Sequence, residues 1–126
     1  MNEKKRILVL DDDEVTVDTL CASFRQHGFD AMGMWDKGKA LIELGTIKPD
    51  LIVSDIRSPG VDGLEFLGLL KADSRFRHIP VLVISGYLRG CAEKALFLGA
   101  HGALGKPYDF LAVLAIVREA LHVSET

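Results

Sequence analysis

The sequence predicts a doubly wound α/β fold, a five-stranded parallel sheet in the order 2-1-3-4-5 covered by helices on both faces. Two observations carry that expectation. Short, β-branched apolar runs recur at residues 7–10, 51–53 and 81–84, as strands buried on both faces require. Between them the apolar period becomes helical, and strands alternating with helices call for right-handed crossovers.

The elements follow in order. Residues 7–10 form strand one. Val17, Leu20, Cys21 and Phe24 fall at i, i+3, i+4 and i+7, giving helix one, which ends before Gly28. After the Gly28-Phe29-Asp30 turn, residues 31–34 form strand two. Leu41, Leu44 and Lys48 frame a short helix two closed by Pro49. Strand three is 51–53. Leu64, Leu67 and Leu70 mark helix three, after Pro59-Gly60-Val61-Asp62-Gly63. Strand four is 81–84, helix four runs through 92–98, and 102–104 form strand five ahead of Lys106-Pro107. Phe110, Leu114, Val117 and Leu121 repeat at helical spacing and give helix five, ending near Val123.

A chain of 126 residues, 48% hydrophobic and 26% charged, suits one domain spanning 1–126. No apolar run approaches the ~18 to 20 residues a membrane span needs, and the short basic start is not a signal peptide, so a cytoplasmic location is expected. The two cysteines, Cys21 and Cys91, lack metal or disulfide spacing and are expected to be reduced and structural. A net charge of -3, with no basic cluster after Lys4, Lys5 and Arg6, gives no field for nucleic acid, and direct DNA binding is not expected. The four histidines are scattered, with no i, i+4 pair for a metal.

In a sheet of this order, chemistry sits beyond the carboxyl ends of the strands, at the switch point between strands one and three. Strand one is followed by Asp11-Asp12-Asp13-Glu14, strand three by Asp55, strand four by Ser85 and strand five by Lys106. Asp13 or Glu14 is expected to cap helix one. Asp11, Asp12 and Asp55 brought together repel one another and favour a divalent cation, and oxygen-only ligands suit Mg²⁺. A carboxylate can attack phosphorus when the charge on the transferring oxygens is neutralised, which makes Asp55 the candidate nucleophile, Lys106 a point charge and Ser85 a hydroxyl donor.

These stretches, with Pro49-Asp50-Leu51-Ile52-Val53-Ser54-Asp55, Pro80-Val81-Leu82-Val83-Ile84-Ser85-Gly86 and Gly99-Ala100 through Lys106-Pro107, occur in one order over essentially the whole chain. In them the sequence resembles the response-regulator receiver domains of two-component signalling. The resemblance implies a flavodoxin-like (βα)5 fold and phosphorylation of Asp55 by the phosphohistidine of a histidine kinase or a histidine phosphotransfer protein. It implies Mg²⁺ held by Asp11, Asp12, Asp55 and the Arg57 carbonyl, Asp11 acting through water, and a cis bond at Lys106-Pro107. Its output surface is helix four, strand five and helix five, which binds an effector or a second receiver. The chain stops shortly after helix five, as a stand-alone regulator or a receiver cut from a longer protein would.

Two residues depart from the family pattern. Ala103 occupies the strand-five position where receivers carry a Tyr or Phe that moves with the Ser/Thr hydroxyl. The expected route for the signal is then Ser85 with the loop 86–90, where Tyr87 supplies another aromatic. Arg57, two residues past the nucleophile, stands where shorter or apolar side chains are common. It either touches the phosphoryl group and tunes its lifetime or pairs with a surface acid. Three other readings stay open. A flavin protein of this fold needs a Ser/Thr/Gly-rich phosphate loop where this chain has acids. An aspartyl phosphatase needs an acid where this chain has Arg57. A phosphate-independent scaffold draws support from Ala103 but has no use for a self-repelling acidic set.

Overall fold

The computed structural model describes residues 4–56, 62–86 and 91–123. Five strands, β1 (Arg6–Leu10), β2 (Asp30–Met34), β3 (Leu51–Asp55), β4 (Val81–Ser85) and β5 (Gly102–Gly105), alternate with α1 (Glu14–Gln26), α2 (Lys37–Ile47), α3 (Gly63–Ala72), α4 (Ala92–Phe97) and α5 (Phe110–Leu121). All neighbouring strands run parallel, in the order β2-β1-β3-β4-β5. This is the predicted doubly wound sheet.

Successive strand residues point to opposite faces, so each apolar run feeds two cores. Ile7, Val9, Leu51, Val53, Leu82 and Ile84 pack with α1 and α5 through Phe24, Val113 and Val117. Leu8, Leu10, Ile52, Val81 and Val83 pack with α2, α3 and α4 through Leu44, Phe66 and Ala95. Phe24 sits at the junction of α1 and α5, its ring edge-on to Phe29 at 6.0 Å and Phe110 at 5.2 Å. Arg6 is structural: its backbone N–H donates to Asp50 Oδ2 at 2.7 Å and its Nε to Asp30 Oδ2 at 2.8 Å, tying the starts of β1, β2 and β3 together.

Helix two differs from its sequence outline. It begins at Lys37 because the Asp36 side chain caps it, accepting from the Lys39 N–H at 3.1 Å. It ends at Ile47, and Lys48, expected to close the helix's frame with Leu41 and Leu44, is its exposed left-handed cap with φ 51°. A Lys at helical spacing can point to water from a cap, whereas Ile47 must bury its apolar surface. In helix three, Phe66 is fully buried and Leu64 only partly so.

One glycine positions the site. A Cβ at Gly63 would stand 2.4 Å from the Asp55 carbonyl oxygen and 2.5 Å from Ile56 Cα. Only a residue without one lets α3 start against the end of β3, where the Gly63 N–H donates to Ile56 O at 2.7 Å. Among the described residues, no helix is long and apolar enough to cross a membrane.

Candidate functional site: an acidic pocket at the carboxyl edge of the sheet

The first two carboxylates are set by the turn that leaves β1. The Asp11 N–H donates to Met34 O at 3.3 Å, and Asp11 Oδ1 accepts the Asp13 N–H at 2.9 Å. Asp13 then caps α1, accepting from the Val15 N–H at 3.3 Å and the Thr16 hydroxyl at 2.7 Å. With Asp13 engaged in capping, Asp11 is left buried and Asp12 exposed. Asp55 closes β3 and is also buried. One carboxylate oxygen from each of Asp11, Asp12 and Asp55 lies within 4.8 Å of the others.

Lys106, just past β5, reaches back over this group. Its Nζ lies 3.1 Å from Asp11 Oδ2 and 3.7 Å from Asp55 Oδ2. Burial works against its charge, but the hydrogen bond to Asp11 and the charges of Asp11 and Asp55 outweigh it and raise its pKa above 10.5. The Lys106 N–H donates to Ser85 O at 2.9 Å, and the Lys106-Pro107 peptide is cis. Ser85 is fully buried at the end of β4, one residue beyond Ile84, the partner of Asp55 in register. The pocket thus joins the ends of β1, β3, β4 and β5. Arg57, Pro59, Gly60 and Val61, and Tyr87 to Gly90 in the β4–α4 loop, lie outside the described residues, so the ligand role of the Arg57 carbonyl and the Tyr87 route are not located. Ala103 is half-buried and packs toward the core that α2, α3 and α4 share.

The donor set fits Mg²⁺. In an octahedron with bonds of about 2.0–2.1 Å, ligand oxygens sit roughly 3–4 Å apart, a small contraction from the spacing here. All three donors are hard carboxylate oxygens, and exposed Asp12 leaves one side open to water and phosphate.

One charged residue of the pocket escaped the sequence reading. Lys37, at the start of α2, is only 3% exposed, with Asp55, Asp11, Asp12 and Asp62 as its electrostatic neighbours. The signal available was its place just after strand two, beside the acidic loop; hydropathy does not reveal where a long charged side chain points.

Comparison with known proteins decides the family. The response regulator receiver domain matches residues 7–118. The chain belongs to the response regulator receiver family. Phosphorylation of an aspartate in two-component signalling is that family's general function, and its receivers bind Mg²⁺ at an acidic pocket. This receiver is 37% identical over 114 residues to response regulator PleD of Caulobacter vibrioides (strain NA1000 / CB15N), covering 90% of this chain and 25% of that protein. It is 32% identical over 121 residues to the phosphate regulon transcriptional regulatory protein PhoB of Klebsiella pneumoniae, covering 94% and 52%. The chain thus spans about half or less of the length of these relatives. The solved receiver domain of Francisella response regulator 1452 superposes with a TM-score of 0.87 at 25% identity, covering 94% of this receiver and 98% of that chain. Chemotaxis response regulator CheY4 of Vibrio cholerae, at 22% identity, TM-score 0.86 and coverage of 94% and 100%, has the same fold.

Proposed function

We propose that Asp55 is the phosphoacceptor of this receiver, that Asp11, Asp12, Asp55 and the Arg57 carbonyl hold Mg²⁺, and that Lys106 and Ser85 assist transfer and read its outcome. The observation that supports this best is the gathering of three carboxylates within 4.8 Å, with the Lys106 ammonium 3.1 and 3.7 Å from two of them. A carboxylate oxygen of Asp55 attacks phosphorus, the new O–P bond forms as the donor's N–P or O–P bond breaks, and the donor leaves with that electron pair. Mg²⁺, when bound, offsets the charge on the transferring oxygens. Lys106 is already poised beside Asp55 and needs little movement to meet a phosphoryl oxygen. Hydrolysis of the acyl phosphate by water is the slow return step.

The donor is a histidine kinase or a histidine phosphotransfer protein in the cytoplasm. The output surface is α4, β5 and α5; Phe97 on α4 is 90% exposed, the highest among the described large apolar side chains, while Val113, Leu114 and Val117 of α5 are core. Phosphorylation adds about two negative charges beside Lys106 and Ser85 and biases two pre-existing conformations. The test is the intact mass of the protein after acetyl phosphate treatment. One phosphoryl adduct is expected with Mg²⁺, and none with EDTA or in Asp55→Ala. No adduct in the wild type would favour a phosphate-independent scaffold.

A further inference from the structure

Lys37 stands where a cation is doubly disfavoured. Its side chain is taken out of water, and it is the first residue of α2, at the positive end of the helix dipole. The first turn of α2 holds no acidic residue, and the neighbouring Asp36 carboxylate is engaged by the Lys39 N–H as the helix cap. The offsetting charge comes from other elements: Asp55 at the end of β3, Asp11 and Asp12 after β1, and Asp62 ahead of α3. Backbone geometry enforces the approach. Leu10 pairs with Met34 in register, and the Asp11 N–H donates to Met34 O at 3.3 Å, so the β2–α2 connection is held against the acidic turn.

We propose that Lys37 is a resident counter-cation of the acidic pocket. Its ammonium lowers the repulsion among Asp11, Asp12 and Asp55 in the metal-free protein, opposes the divalent cation, and so sets a weaker Mg²⁺ affinity than the carboxylates alone would give. With Lys106 reaching in from the β5 side, the pocket carries two ammonium groups from opposite flanks. The inference rests on the reading of Asp11, Asp12 and Asp55 as metal ligands. It differs from a purely structural ion pair, which would leave metal affinity unmoved when replaced.

Calorimetric Mg²⁺ titration of the full chain, compared among wild type, Lys37→Met and Lys37→Arg, separates the two. The Met variant is expected to bind Mg²⁺ about tenfold more tightly, because one opposing charge is gone, and the Arg variant within about twofold of wild type. In EDTA the Met variant should melt below wild type, with the gap narrowing at saturating Mg²⁺. Lys37→Gln, which keeps a polar end, stands in should the Met variant not fold. Unchanged or weaker Mg²⁺ binding in the folded neutral variant overturns the proposal. A wild-type chain that binds no Mg²⁺ overturns instead the reading of the pocket on which it rests.

Discussion

Lys106 shows how one side chain of the acidic pocket contributes to stability. Its ammonium bridges Asp11 and Asp55, and these partners raise its pKa in the folded chain. A raised pKa means the folded state holds the proton more tightly than the unfolded chain does. The stabilisation is therefore fully present below the unfolded value near about 10.4 and is lost as pH rises through the higher folded value. With about a third of the side chain in contact with solvent, the pair contributes roughly 1 kcal/mol at most. Lys106→Met should lower stability by about that amount in urea unfolding at pH 7, with the difference from wild type shrinking as the pH passes the raised pKa. Asp11, Asp55 and Ser85 were legible in the sequence because each follows or closes an apolar run whose strand identity is plain, whereas Lys106 was placed by the Lys106-Pro107 pair after the weaker strand signal at 102–104. Lys37 was not legible, because a lysine's long stem lets its charge lie far from the point on the helix where hydropathy would place it.

At the scale of elements, the contact between α3 and β3 is the most constrained. Gly63 brings the start of α3 within a distance of β3 that admits no side-chain carbon, and Asp62 caps that helix by accepting the Leu64 N–H at 2.7 Å. Gly63→Ala should cost about 1–3 kcal/mol, as other overpacking changes do, because its methyl would collide with the Asp55 carbonyl and Ile56 backbone. The same displacement should slow phosphorylation of Asp55, so thermal melting and adduct formation should fall together; an unaltered melting point would contradict the close approach. Strands β1, β3 and β4 were the most legible elements because burial on both faces leaves an unbroken apolar run. Helix α2 was the least, since its start depends on a capping Asp36 and an inward Lys37, neither of which repeats with an apolar period.

Across the whole molecule, strand order carries the function. Placing β1 between β2 and β3 turns four separate stretches of sequence into one pocket and leaves α4 and α5 next to the β4 and β5 side of the sheet. The alternation of runs was enough to give this topology, since right-handed crossovers leave few other arrangements. The sequence offers Tyr87 in place of the aromatic missing at Ala103, and that residue lies outside the described residues. Family membership leaves the flavin and phosphatase readings without support, while Asp55 as the acceptor rests on its place in the pocket. The most direct measurement is peptide-level mass spectrometry of the protein after acetyl phosphate and Mg²⁺, locating the phosphoryl group among its acidic residues. A single phosphoryl group on the peptide containing Asp55 is expected; a phosphoryl group on Asp11 or Asp12, or on a residue outside the pocket, would contradict it.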